Sequence, residues 1–318
     1  MKKRLLSVFL CLCMVFGLVP ATVWAATTNG HTHYLCGGST CNGSGHENET
    51  YKTTFEKEIK QEGNTLKIGG ESWAPTKGSN DTFYILPAGT YYLGSDISPE
   101  YTIKIENNVT LCLNGHKITA ANEKDAIKLT GGSFTLTDCQ KTGNITHASN
   151  TNGIGVYVSS GTFNMYGGSI TGNTATNDRG GGVYVASGSG TFNMYGGSIT
   201  GNKATSGNGG GVYVTGEFTM TGGTIGGTDA TDANTATSGN GGGVYVTDGS
   251  FEMTGGSITG NNAAYGGGVC VSENGSFEMS GSSCITNNKA ASYGGGVHIS
   301  YASATFTMKG GSITGNNA

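Results

Sequence analysis

The residues best equipped for chemistry lie near the start of the chain. His33, Cys36, Cys41 and His46 fall within fourteen residues. Two thiolates and two imidazoles make a complete tetrahedral ligand set for zinc. Gly37, Gly38, Gly43 and Gly45 stand between them and let a short loop wrap an ion. His31 is close enough to replace His33. A closed four-ligand set leaves no position for substrate, so this zinc would be structural. Two other readings stand beside it: a Cys36–Cys41 disulfide, which an exported chain permits, and a leader without fixed structure. In each, the segment serves as a cap and not as a catalyst.

Elsewhere the chemistry is thin. Cys112 lies in a strand pattern, Cys139 follows one, Cys270 stands where other copies of a repeat have tyrosine, and Cys284 precedes Ile285. No histidine base accompanies them, so no thiol nucleophile is read. Acids are scattered singly, and after Arg4 the only arginine is Arg179. A glycoside hydrolase needs two carboxylates close together, and a calcium-dependent lyase needs clustered acids beside a base. The one plausible group is Asp178 and Arg179 in one corner loop, with Asp229, Asp232 and Asp248 further along. Lone charges of this kind read as solvated loop residues, so no catalytic residue is assigned. Tyrosine is the better binding feature. Tyr157, Tyr184, Tyr213 and Tyr245 each sit between two valines, and Tyr166 and Tyr195 each follow a methionine. All should face outward, where flat rings can receive sugars. The plainer reading is that tyrosine suits a strand and stacks on itself.

What positions these residues is a repeat. Six copies open on Val156, Val183, Val212, Val244, Val269 and Val297, at steps of 25 to 32 residues. Each copy holds Val-x-Val, Phe-x-Met and a lone isoleucine, as in Val183 and Val185, Phe192 and Met194, and Ile199. The runs alternate apolar and polar residues, which is the strand period, and glycines separate them. A single turn of three short strands cannot bury its apolar side alone. Stacking turns on one another does so and pairs each strand with its copy in parallel register. The sequence therefore predicts an all-β parallel β-helix with vertical ladders of Val, Phe, Met and Ile. Asn173, Asn202, Asn234, Asn261, Asn288 and Asn316 recur in an Asn-x-Ala pattern. They are expected to form an amide ladder and to take the left-handed backbone of a corner.

The Gly-Gly-Gly-Val-Tyr-Val and Gly-Thr-Phe-x-Met-x-Gly-Gly-x-Ile-x-Gly-Asn-x-Ala patterns resemble the right-handed β-helix repeats of secreted surface proteins from anaerobic bacteria. More distantly they are similar to repeats of the chlamydial polymorphic outer-membrane proteins. The resemblance implies the pectate-lyase-like superfamily, and with it the right hand of the coil. That superfamily holds lyases, hydrolases, adhesins and stalks, so it fixes no activity.

The rest of the chain fits an exported repeat protein. It has 58 glycines, 4 prolines and only 12% charged residues among 318. Lys2, Lys3 and Arg4, the apolar stretch Leu5 to Val19 and the small residue Ala25 make a signal peptide. Cleavage there removes Cys11 and Cys13 and takes the formal charge from −4 to −7. No basic patch exists for nucleic acid, and no membrane span is expected in the mature chain. Residues 26–80 lack the repeat and read as a His/Cys leader and N-terminal cap, with a short helix or linker over Glu47 to Glu62. Residues 81–318 read as about eight three-strand coils, regular from about 153. The last copy stops at Ala318 with no anchor, which suggests a longer surface protein. The expected role is a secreted or cell-surface rod, adhesin-like or a stalk, meeting glycan or host-surface ligands along its side. A polysaccharide lyase or glycoside hydrolase is the alternative. For the leader, purified mature protein should carry about one zinc per chain, lost in Cys36→Ser. Absence of both metal and free thiols at Cys36 and Cys41 would establish the disulfide instead.

Overall fold

The computed structural model describes residues 31–34, 52–55, 57–176 and 180–318. Among these there is no helix. The short alternating runs become parallel strands, each lying against its copy in the next coil. Val-x-Val and Phe-x-Met strands share one sheet of 20 strands. They share it because in two coils, Ile127–Thr137 and Val156–Met165, both runs join into one continuous strand. The Ser-Ile-Thr strands form a second, eight-stranded sheet that runs from Lys117–Ala120 to Ser312–Thr314. That number agrees with the expected coil count. The fold is a parallel β-solenoid.

Like residues pair with like throughout. Val156, Val183, Val212, Val244, Val269 and Val297 are in register. So are the phenylalanines and methionines from Phe163 and Met165 to Phe306 and Met308. The isoleucines from Ile170 to Ile313 follow suit. A slip of one residue would turn every valine to solvent, so burial holds the register. Phe163, Phe192, Phe218, Phe251 and Phe277 are at most 1% exposed. From Phe163 to Phe306, successive rings stack 4.5–4.9 Å apart and within 16° of parallel. That distance is the spacing of paired strands, so correct register delivers the ring stack without further adjustment.

The asparagines do more than expected in one respect and less in another. Asn202 donates one amide hydrogen to the Ile170 carbonyl and the other to Asn234 Oδ1, both at 2.9 Å. Its own Oδ1 accepts from the Asn173 backbone N–H and side-chain amide, at 3.1 and 2.9 Å. All four hydrogen-bonding positions of a fully buried amide are thus filled. The same pattern continues through Asn234, Asn261 and Asn288. His147 closes the near end, with Nδ1 2.7 Å from Asn173 Oδ1 and Nε2 2.8 Å from the Lys124 carbonyl. The left-handed corner, however, belongs to the residue before. Gly172, Gly201, Gly260 and Gly315 take φ of 62–68° there, and in the fifth copy Asn287 takes 56°. The Asn-x-Ala segment is also not a mere corner. In five coils it adds a short strand, such as Lys203–Ala204, and these form a further sheet. Ala204 and Ala236 are fully buried on it.

The ladder explains the last glycine of Gly-Gly-Gly-Val. A Cβ on Gly182 would lie 2.7 Å from the Gly211 carbonyl oxygen, 2.8 Å from Ile199 Cγ2 and 3.0 Å from Asn202 Nδ2. No side chain fits between the ladder and the neighbouring coil.

Before the regular copies, where a helix or linker is expected over Glu47 to Glu62, the described part is strand, Lys52–Phe55 and Lys57–Glu62. Lys57–Glu62 and Thr65–Ile68 form a hairpin across a Gly63-Asn64 turn, with φ of 58° at Gly63. Lys57–Glu62 also pairs in parallel with Gly89–Leu93. Ile59, Leu66 and Trp73 are buried there. The alternation around Ile59 is a strand pattern, and the many charges flanking it masked that period.

Phe192→Ala should cost about 3–5 kcal/mol in chemical unfolding, as a ring lost from mid-stack. Asn202→Ala should cost at least about 2 kcal/mol, because its buried partners lose their hydrogen bonds. Circular dichroism should show strand with almost no helix. Unchanged stability in both variants would overturn the stacked register.

Candidate functional site

The interior is filled, so any site lies on the outer surface. The middle residue of Val-x-Val faces out, and register joins these residues into one line. Ile85, Lys104, Lys128, Tyr157, Tyr184, Tyr213, Tyr245, Cys270 and His298 succeed one another along it. Tyr157, Tyr184 and Tyr213 are half-buried. Tyr157 and Tyr184 stack 5.0 Å apart at 16°, whereas Tyr213 turns 80° from Tyr184 at 5.3 Å. On the other side of Tyr157, Lys128 Nζ lies 5.1 Å from the ring centroid, a cation–π contact. Both faces of Tyr157 are therefore taken by neighbours in the ladder. What such a ring turns to a ligand is its edge and its phenol end, not a flat platform. Tyr166 and Tyr195 also stack on each other, at 4.5 Å and 18°.

Tyr245 differs from the other three. It is only 6% exposed. Burial pushes its phenol up from the usual range, against the opposing pull of the Ser272 and Thr247 hydroxyls beside it. Thr247 also donates to Glu273 Oε2 at 3.0 Å and closes the corner next to it. A ligand gliding along the row would meet Tyr157, Tyr184 and Tyr213 and then a covered ring.

Two surface features escape the sequence pattern. The first is a groove of about 430 Å³ beside the lysine end of the row. Asp81, Glu123, Lys124, Asp125 and Lys128 line it. Lys124 Nζ reaches Asp81 at 3.2 Å. The Thr82 N–H, with a lesser contribution from Lys124, holds the Asp81 carboxyl below its ordinary range. Glu123, Lys124, Asp125 and Lys128 lie within six residues of one another, and Asp81 joins them from an earlier segment, a meeting that no sequence spacing announces. The second is an aromatic group at the other end. Tyr265 and Tyr293 pair in register, 5.9 Å apart, and His298 lies 5.5 Å from Tyr265. Tyr293 is 65% exposed, more than any tyrosine of the main row. Here a signal existed: a tyrosine directly precedes the glycine triplet in Tyr265-Gly266-Gly267-Gly268 and again in Tyr293-Gly294-Gly295-Gly296.

The remaining candidates are described only in part. Asp178 and Arg179 lie outside the described residues. Asp229 and Asp232 are on the insertion that follows Ile225, with the Asp232 N–H bonded to the Asp229 carbonyl at 3.0 Å. Asp248 sits at a different corner, between the Val and Phe strands, and accepts from Asn274 Nδ2 at 2.8 Å. Of the zinc set, Cys36, Cys41 and His46 lie outside the described residues, and of His33 only the backbone is described, in the strand His31–Tyr34. Among the described residues no group of three or more His, Cys, Asp or Glu is placed to hold a metal. No described helix is long and apolar enough to cross a membrane.

No family model, curated protein or solved structure matches this chain.

Burial raises the phenols of Tyr84, Tyr91, Tyr92 and Tyr245 alike. A raised folded value means that the folded state holds its proton longer than the unfolded chain. The stability this gives is complete below about pH 10 and is lost as pH climbs beyond it. In an alkaline absorbance titration these four should ionise above the ordinary tyrosine range, and Tyr245→Phe should remove one late phenol. A single uniform transition would contradict the burial pattern.

Proposed function

We propose that the chain is a non-catalytic, exported surface protein, a β-helix of the pectate-lyase-like kind, whose rod meets glycan or host-surface ligands along its side. One observation carries the reading. Tyr157, Tyr184 and Tyr213 repeat the same outward position coil after coil, with ring centroids 5.0 and 5.3 Å apart. A long ligand lying parallel to the stack meets like groups at a constant interval. Each contact is weak, and the sum grows with the number of coils engaged. The ring stacking directs these contacts to phenol ends and ring edges. Tyr265 and Tyr293 supply a second, more exposed aromatic stretch. A structural zinc in the leader belongs to the same proposal, as a cap for the rod's first coils.

The groove near Asp81 favours a second reading, a polysaccharide lyase or glycoside hydrolase. Carboxylates and lysines share one surface recess there. Against it stands the Lys124–Asp81 ion pair, which commits one base and one acid to each other.

The triple variant Tyr157→Ala, Tyr184→Ala, Tyr213→Ala should weaken binding to immobilised glycans or cell surfaces about tenfold or more, with an unchanged strand spectrum. Tyr265→Ala with Tyr293→Ala should give a smaller loss. Unsaturated sugar products or new reducing ends, abolished by Asp125→Asn, would overturn the reading in favour of the enzyme.

A further inference from the structure

We propose that Cys112 and Cys139 form a disulfide that rivets two neighbouring coils in the divergent part of the rod. Cys112 ends a strand in register with Thr137 of the next coil. The Leu113 N–H then bonds to the Thr137 carbonyl at 2.9 Å, which brings Asn114 level with Cys139. Both sulfurs reach Asn114: its N–H lies 3.3 Å from Cys112 Sγ, and Cys139 Sγ lies 3.3 Å from its Oδ1. Asn114 therefore brings the two thiols to one side of the same corner. The corner around them is fixed by backbone and not by the sulfurs. Asn114 takes φ of 51°, and Asp138 accepts from the Gly115 and Gly143 N–H groups at 2.7 Å each. Two thiols gathered on one asparagine of an independently anchored corner are the pair best placed to bond.

The position has a reason. The amide ladder begins only at Asn173, so the coils around Cys112 and Cys139 lie outside it. A covalent link there would supply the coil-to-coil constraint that the asparagines supply later. An oxidised small-molecule disulfide is the oxidant. Cys139 is exposed and Cys112 is buried. The facing Cys139 thiol, and then burial, hold the Cys112 thiol well above the ordinary thiol range. Reaction therefore starts at Cys139. Its thiolate attacks the small disulfide, releases one thiolate and leaves a mixed disulfide. Cys112 gives its proton to that thiolate, attacks the Cys139 sulfur and expels the second one. The two protein thiols are oxidised, and the small disulfide is reduced to two thiols.

The full chain, equilibrated with oxidised and reduced glutathione, can be alkylated without reductant and cut with trypsin. Peptide 105–117 should then be joined to peptide 129–141 and part from it on reduction. Under the same oxidising conditions Cys139→Ser should melt roughly 5–10 °C below the unaltered chain, for a closed loop of this size. After reduction the two should melt together. Both peptides alkylated without reductant, either cysteine joined to another thiol, or equal melting of the two proteins under oxidising conditions would overturn the disulfide.

Discussion

The fold depends on one buried amide, repeated. An asparagine side chain in an apolar interior has two donors and an acceptor oxygen with two free positions, and leaving any of them unmet is costly. One coil alone cannot meet them. Asn202 needs the isoleucine carbonyl of the coil before, the asparagine of that coil, and the asparagine of the coil after. Burial in the apolar ladders excludes a slip of one residue, but a slip of two keeps the same face inward. The amide ladder excludes that slip as well, because each bond at 2.9 Å fixes one coil to the next. Hydrophobic stacking supplies most of the driving force, and the asparagines choose one register from those it would accept.

The insertion in the third copy shows which constraint is rigid. Gly227 to Ala233 adds residues between Ile225 and the next asparagine. Asn234 nevertheless bonds to Asn202 and Asn261 at the same 2.9 Å as the uninterrupted copies. The chain loops outward and re-enters at the ladder. The loop still touches the coil before it, where the Gly201 N–H bonds to the Asp232 carbonyl at 2.8 Å, but the length difference is taken up outside the ladder. The divergent coils meet the same need by other means. Asp138 clamps two backbone N–H groups across one corner, and His147 donates from Nδ1 to the Oδ1 of the first asparagine of the ladder. Different side chains satisfy the same requirement that no buried polar group stays unpaired.

This also decides what a reader of the sequence can see. Repeated Val, Phe, Met and Ile announce the core because identical residues must stack on identical residues, and six copies give six readings of each position. Asn173 and its successors were legible as a ladder for the same reason. Their partner carbonyls were not, because a backbone acceptor leaves no mark in composition. The left-handed corner fell to Gly201 and its equivalents instead of the asparagine, since the amide must point inward while the preceding residue turns the chain. Asn287 betrays this in retrospect: among the copies without the insertion it is the one where a residue with a side chain replaces that glycine, and it keeps the positive φ. The surface was harder. Tyr157, Tyr184, Tyr213 and Tyr245 look alike in sequence, yet Tyr245 is covered by neighbours that come from the following coil. The groove beside Asp81 draws its charges from segments with no repeat at all.

A rod built this way separates stability from recognition more cleanly than most folds. Inward positions carry ladders of identical residues, and a change there is felt by the coils above and below. Outward positions change type along the same line, from Lys104 and Lys128 to four tyrosines, the last of them covered, then to the buried Cys270 and on to His298. Each outward residue is still held at the strand spacing by the core beneath it. Such a surface presents a row of groups at fixed intervals without folding a pocket around any of them. Affinity must then come from length and from the number of coils a ligand touches, not from enclosure. The self-stacking of Tyr157 and Tyr184 sharpens this point. Their faces are spent on each other and on Lys128, so recognition along the row rests on what the ring edges and hydroxyls can do.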